Sequence, residues 1–442
     1  MNSRRTDLLT KTPVPGLIVK LSVPTIISML VTGIYNTADT FFVGKISTQA
    51  TAAVGLVFSV MAIIQALGFF CGHGSGNYIA RQLGAGNIDK ASEMASTGFA
   101  TAIILGIIVA AAGIINIVPL SELIGATPTT MKDTTDYMRI ILLGAPFMMG
   151  QFVMNNQLRF QGSAVYAMAG LMCGAIINLI LDPLLIIGLK MGVSGAAIAT
   201  VCGQIVSFIV LLIGTGRGEN IQFSIKNVKI GPSFLIEIIN GGSPSLFRQG
   251  LASVSTLLLN HAAGSVGGDA AIAGMSIVTR IMMLTLAAVI GFGQGYQPVC
   301  SFNYGAKLYK RVKEGCFFCI RYSVLFLCFA AALCLIFAPN IISLFRDDPE
   351  VIMIGADALR FQAFSLPLMG VITVCNMMLQ STGKGIKASI TSSARNGIFF
   401  IPLILILPGV FGLRGVELTQ PVADVLTVAL TLPFALSELN KM

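Results

Sequence analysis

Apolar runs of about 20 residues or more recur along almost the whole chain, separated by short polar connections, and each is long enough to cross a bilayer as a helix. They predict twelve spans, at residues 17–43, 50–80, 93–118, 134–158, 164–187, 194–216, 234–260, 270–300, 314–338, 355–380, 386–407 and 415–436. The expected fold class is an all-α polytopic membrane protein. The longest polar connection, residues 214–233, falls near the middle and reads as a linker. The expected organisation is a first lobe over 1–216, a cytoplasmic linker over 217–233 and a second lobe over 234–442, with six spans in each lobe.

The two halves match at an offset of about 220 residues. Pro24 answers Pro244, Leu83-Gly84-Ala85 answers Tyr304-Gly305-Ala306, Ala145-Pro146-Phe147 answers Leu366-Pro367-Leu368, Gly162 answers Gly383, and Gly195-Ala196 answers Gly415-Val416. Six spans per half is an even number, so both halves enter the membrane in the same sense and are related by an axis along its normal. Two pseudo-symmetric six-helix lobes of this kind predict a cavity between them that opens to each side in turn.

Charge patterning orients the chain. With the N-terminus in the cytoplasm, about sixteen Lys and Arg residues fall in inner connections, Arg81 and Arg159 among them, against about five outside. An even span count then puts both termini in the cytoplasm, and the plasma (inner) membrane is the expected location. The net charge of +9 is thus a topology signal, not a sign of nucleic-acid binding, and the 55% hydrophobic, 11% charged composition leaves no soluble domain beside the spans. The start of the chain lacks the apolar core and cleavage site of a signal peptide, so the first span is expected to direct insertion. Nine cysteines fall mostly in apolar runs; Cys316 and Cys319 form a CxxC with no second pair at metal-ligand spacing, so no metal site is expected.

Chemistry concentrates where polar groups interrupt the spans. Tyr35-Asn36-Thr37-Ala38-Asp39 puts a carboxylate inside span 1, and an ionised Asp at mid-membrane costs about 2.5–3.5 kcal/mol on insertion scales, so it must face protein or water and find partners. Span 5 offers some. Asn178 and Asp182, at i and i+4, share one helix face, and Pro183 leaves the carbonyl of Leu179 without its helical donor. Two carboxylates, an amide and a free carbonyl suit a proton or a small hard cation. The competing reading, polar clamps between helices, is more usually met with Ser, Thr or Asn. Pro24 breaks the ladder near the start of span 1, which makes it a conformational hinge through which the charge state of Asp39 is expressed as a bend. Tyr35, Met149, Phe152, Arg248 and Met282 are candidates for a substrate cavity, Met and Phe giving an adaptable surface. The arginines of the second half, Arg248, Arg280, Arg360 and Arg395, line a cavity and bind an anionic group, pair with Glu417 or Asp424, or snorkel; the structural and snorkelling readings are the simpler.

Two inner segments carry a family resemblance: Tyr78-Ile79-Ala80-Arg81-Gln82-Leu83-Gly84-Ala85-Gly86-Asn87 after span 2, and Gln297-Pro298-Val299-Cys300-Ser301-Phe302-Asn303-Tyr304-Gly305-Ala306 after span 8. They resemble the paired signatures of the multidrug and toxic compound extrusion (MATE) transporters, and Asn36-Thr37-Ala38-Asp39 resembles the branch with the MepA-like and DinF-like proteins. The resemblance covers the whole chain. It implies export of organic, often cationic compounds in exchange for protons or sodium ions, by a monomer that needs no cofactor beyond the coupling ion H+ or Na+. By position it implies a cation-coupling site of Asp39, Asn155, Asn178, Asp182 and Thr200; the Asn155-Asn156 doublet leaves open which amide faces Asp39. Another branch of the family carries acids in spans 7 and 10. Here those spans offer Arg248, Gln249, Asn260 and His261, with Asp357 at an outer end, so no carboxylate site is expected in the second half.

The alternative on the same fold is a flippase or exporter of lipid-linked or polar metabolites, which the second-half arginines favour. An enzyme is not expected, because His73 and His261 stand alone and no nucleophile–base–acid arrangement appears. A major-facilitator carrier would need an acidic, arginine-rich loop after span 2, where this chain has Arg81-Gln82-Leu83-Gly84-Ala85-Gly86.

Overall fold

The computed structural model describes residues 3–229 and 231–442, without the side chains of residues 3–5 and 34–40. The first half comprises α1 (Ser3–Lys11), α2 (Val14–Gly44), α3 (Thr48–Gly84), α4 (Ile88–Ile115), α5 (Ile117–Leu123), α6 (Met131–Phe160), α7 (Ala164–Asp182) and α8 (Gly192–Thr215). The second comprises α9 (Pro232–Gly305), α10 (Tyr309–Ser343), α11 (Pro349–Ser381), α12 (Gly385–Ser393), α13 (Phe400–Phe411) and α14 (Leu413–Asn440). Among the described residues eleven helical segments are long and apolar enough to cross a membrane, and one of them, α9, is long enough to cross twice. The protein is a multi-pass membrane protein. Each half is a bundle around one central helix, α6 in the first and α11 in the second, which are the most buried of the long helices.

One sequence expectation needs correction. Spans 7 and 8 are not separated by a loop: α9 runs from Pro232 to Gly305 and reverses at Gly268, whose φ of 63° and ψ of −157° only glycine adopts without strain. Gly412, between α13 and α14, takes nearly the same conformation, φ 59° and ψ −135°. The connection between the halves is an ordered strap. It is laced to the first half: the main-chain N–H of Ile221 donates to Gln161 Oε1 (2.7 Å), that of Ser224 to Ser96 Oγ (3.1 Å) and that of Lys229 to Thr97 Oγ1 (2.9 Å), while Lys229 Nζ meets Glu93 Oε1 at 2.6 Å. The helix α1 had no counterpart among the expected elements; its Leu9 is fully buried, and the Leu9 carbonyl accepts from Asn303 Nδ2 at 3.2 Å.

The repeat is written in the helix ends. α6 closes with Gly162 at φ 81°, where the N–H of Ser163 bonds to the carbonyl of Leu158 and that of Gly162 to Arg159. α11 closes identically with Gly383 at φ 77°, through Lys384 to Leu379 and Gly383 to Gln380. Both are Schellman caps, which satisfy the last carbonyls of a helix and need a left-handed residue. In each half the equivalent span is interrupted by a π turn, Pro183–Gly188 after α7 and Ala394–Ile398 after α12.

The halves are bonded at one end of the bundle, where α3, α6 and α11 terminate and α2 and α9 begin. Ser301 Oγ donates to Asn77 Oδ1 (3.0 Å), Arg81 Nη2 meets Glu237 Oε2 (2.7 Å), and Ser22 Oγ donates to the carbonyl of Phe292 (3.0 Å). Backbones touch there as well. A Cβ on Gly84 would overlap the carbonyl of Phe302, and one on Gly305 the carbonyl of Arg81, so the two signature segments are the facing surfaces of this closure.

Because the Arg81–Glu237 pair is half-exposed on its acidic side, its contribution is on the order of 1 kcal/mol, about fivefold in an open–closed equilibrium. Arg81→Gln is expected to raise, several-fold, the alkylation rate of a cysteine placed at Ser301 in a background without the native cysteines. The exchanged pair Arg81→Glu with Glu237→Arg should restore the slow rate; an unchanged rate in Arg81→Gln would show that the ion pair does not hold this end.

Candidate cation and substrate sites

In the first half α7 and α8 cross on glycine. A Cβ on Gly174 would lie 2.6 Å from the carbonyl of Gly203, and one on Gly203 2.7 Å from that of Gly174, so the backbones meet with no side chain between them. This close crossing sets Asn178 of α7 beside Thr200 and Gln204 of α8. These three, with Gln151 and Phe152 of α6 and Thr32 of α2, line a small cavity of about 50 Å³. Asp182 is fully buried one turn beyond Asn178, whose Nδ2 lies 3.5 Å from Asp182 Oδ1. The π turn starts at the next residue, Pro183, which has no N–H to give the carbonyl of Leu179.

The cavity is rich in acceptors. Asn178 Oδ1, Gln204 Oε1 and Ser207 Oγ are buried on its wall without a hydrogen-bond partner among the described residues. Gln204 and Ser207 were not expected as site residues, although with Thr200 they form a polar stripe at i, i+4 and i+7 on an otherwise apolar helix, a signal present in the sequence. Of the expected set, Asn178 and Thr200 share the cavity, with Asp182 beside it. Tyr35 and Asp39 lie outside the described side chains. Pro24 is buried within α2, which stays helical through it. Around Pro24, Thr25, Ser28 and Thr32 each donate to the carbonyl four residues back, at 3.0, 2.9 and 2.8 Å, a pattern that bends helices.

Neither amide of the doublet lines this cavity. Asn155 Nδ2 donates to the carbonyl of Ala167 at 2.8 Å, and in the second half Asn376 Nδ2 donates to the carbonyl of Ala388, also at 2.8 Å. One amide thus clamps equivalent helices in both halves. Asn156 Oδ1 instead accepts from Arg159 Nη2 at 2.5 Å. Arg159, expected in an inner loop, is only 2% exposed: it donates from Nη1 to the carbonyl of Gln294 in the other half at 3.1 Å, and its Nη2 lies 3.1 Å from His73 Nε2. The helix runs one residue past it before the glycine cap, which keeps the guanidinium inside.

The second half encloses a larger cavity, about 430 Å³, lined by Arg248, Met282, Gln362, Asn376, Arg395 and Gln420 among others. Arg248 and Met282 therefore line a cavity, as Phe152 does in the first half. Met149 does not; it is fully buried in the apolar core of the first half, against the backbone of Gly68. Arg395 Nε bonds to Asp424 Oδ1 at 2.8 Å, and Arg360 pairs with Asp357 at 3.3 Å, so two of the four second-half arginines are structural pairs. Cys316 and Cys319 are buried in a core cluster, and no three His, Cys, Asp or Glu groups converge as metal ligands among the described residues.

Among the described residues, eleven apolar helical segments, one of them long enough to cross twice, form two repeated bundles, each enclosing a cavity with buried polar groups on its wall, which is a secondary-transporter architecture. The sequence model of the MatE family matches residues 24–184 and 244–406, two copies at the repeat offset, and the chain belongs to this family of MATE transporters. It is 28% identical over 427 residues to "Multidrug export protein MepA" of Staphylococcus haemolyticus, covering 95% of this chain and 93% of the relative. A solved structure described as the outward-facing conformation of a multidrug resistance MATE family transporter of the MOP superfamily matches with a TM-score of 0.93 at 26% identity, over 100% of this chain and 99% of that one. A MOP superfamily transporter from Pyrococcus furiosus, whose binding pocket is described as having reverse polarity suggesting a different function, matches at a TM-score of 0.92 and 26% identity over the same shares.

The two kinds of amide separate experimentally. Asn155→Ala and Asn376→Ala each remove a helix–helix hydrogen bond, a loss of about 1 kcal/mol, and are expected to lower the melting temperature by similar amounts while sparing ion affinity. Gln204→Leu should do the reverse. A normal melting temperature with lost ion affinity in Asn155→Ala would return that residue to the cation site.

Proposed function

We propose that this protein exports organic, often cationic compounds across the plasma membrane in exchange for inward protons or sodium ions, with the coupling ion held in the first half. The observation that carries this reading is the fully buried Asp182 beside a cavity whose unpartnered atoms, at Asn178, Gln204 and Ser207, include two amide oxygens and a hydroxyl. A buried carboxylate among neutral oxygens is poised to accept a proton or, together with those oxygens, a hard cation. Asp39 follows Thr32, which lines the same cavity, by seven residues, the spacing that returns a helix to the same face. Asp39 and Asp182, with Asn178 and Thr200, are the coupling groups in this reading. Similarity to a multidrug export protein supports a broad range of organic substrates.

The halves, residues 1–216 and 234–442, rock about the bonded end, which the basic inner connections assign to the cytoplasm together with both termini. α2 is the moving element. It packs on α7 beside the cation site and on α9 of the other half, where Gly291 would meet Ile26 and Gly295 would meet Ser22 if either carried a Cβ, so a change of bend at Pro24 is felt by both halves. Ion and substrate then compete through one helix without sharing atoms, which is antiport by linkage. A monomer suffices for this cycle.

The test is accumulation of a fluorescent organic cation in cells expressing the protein, with the proton and sodium gradients dissipated separately. Collapse of one gradient should stop efflux and so identify the ion. Asp39→Asn and Asp182→Asn are expected to abolish efflux at normal expression, whereas Asn178→Ala and Thr200→Ala, each losing one ligand of about 1–3 kcal/mol, should weaken it. Efflux at the wild-type rate in both Asp variants would overturn the coupling site. For the hinge, Pro24→Ala should slow transport while ion binding persists, and saturating drug should lower ion affinity in the purified wild-type protein; ion affinity indifferent to drug would remove α2 as the link.

A further inference from the structure

We propose that the second-half cavity binds the anionic group of an amphiphilic organic compound, with Arg248 as its counter-ion. At about 430 Å³ the cavity is of drug-binding size, and its lining contains two arginines and no carboxylate. Arg395 is already neutralised. Its partner Asp424, at 2.8 Å, accepts further hydrogen bonds from Gln420 Nε2 at 2.9 Å and Ser365 Oγ at 3.0 Å, so that carboxylate is committed. Arg248 has no carboxylate within 4 Å among the described residues, which leaves the cavity one positive charge in excess. An uncompensated cation inside a membrane protein is costly unless a ligand or water answers it.

A second, independent observation points the same way. Ser392 Oγ and Asn376 Oδ1, on residues 7% and 4% exposed, lie on this cavity without a hydrogen-bond partner among the described residues. The Ser392 hydroxyl can donate to an anionic oxygen beside the guanidinium, and Asn376 Oδ1 can accept from a hydroxyl or amide of the same ligand. The wall formed by Met282, Met283, Leu286 and Phe400 offers an apolar body its surface. The ligand this selects carries one oxyanion, a carboxylate, sulfonate or phosphate type, which a planar guanidinium grips well, on an apolar frame. The site goes beyond cation export and does not depend on the first-half carboxylates. A soluble organic anion and an anionic lipid headgroup share this chemistry.

The experiment is fluorescein binding, followed by anisotropy, to the purified full chain in phosphatidylcholine nanodiscs. Wild type is expected to bind, Arg248→Gln to bind about tenfold or more weakly through loss of a charge-assisted contact, and Arg248→Lys to stay within a few-fold of wild type. Ser392→Ala, which keeps the arginine, should weaken binding several-fold. Phosphatidylglycerol added to the discs displaces fluorescein if the natural ligand is a lipid headgroup and leaves it bound if the ligand is a soluble anion, and both outcomes support the site. Absence of fluorescein binding by wild type, or equal affinities in wild type, Arg248→Gln and Ser392→Ala, would overturn it.

Discussion

A carboxylate buried in a membrane protein must be answered by something, and how each half of this chain answers it shapes the rest of the molecule. In the second half the answer is internal: Asp424 takes hydrogen bonds from Arg395, Gln420 and Ser365 and has little capacity left. In the first half Asp182 has the amide of Asn178 beside it, and the cavity that Asn178 lines has no arginine or lysine among its described residues. The first arrangement is a fixed structural pair; in the proposed cycle the second is where a proton or cation would bind.

The repeat makes this contrast more informative than either site alone. Gln204 and Asp424 are separated by about 220 residues and so occupy equivalent positions of equivalent helices, while the π turns that follow Asp182 and contain Arg395 fall in equivalent spans but about ten residues out of register. One inherited scaffold has thus been charged in opposite ways. Its shared geometry is visible in the Asn155 and Asn376 clamps and in the Gly162 and Gly383 caps.

Much of this was legible in the sequence, for stated physical reasons. Spans, repeat and the odd carboxylates follow from one-dimensional patterns, because lipid forces apolar length and penalises charge wherever a helix crosses it. The Thr200, Gln204, Ser207 stripe is equally one-dimensional, and of it Thr200 alone stands in the expected site. Three features could not be read from the chain. The burial of Arg159 depends on His73 and Gln294, far away in sequence; the choice of Asp424 over Glu417 as the partner of Arg395 depends on how the next crossing packs; and Asn155 looks like a ligand until its twin in the other half is seen making the same bond. Each is a tertiary pairing with no local signature.

The strap between the halves sets a limit on travel. It is fastened to the first half as far as Lys229, through Thr97 and Glu93, and the second half begins at Pro232. Three peptide units remain between those points, a reach of about 10 Å when fully extended. With so short a tether the first turn of α9 can pivot about its anchor but cannot drift from it, so a tilt of one half against the other in the proposed cycle would give its larger displacements at the far ends of the helices.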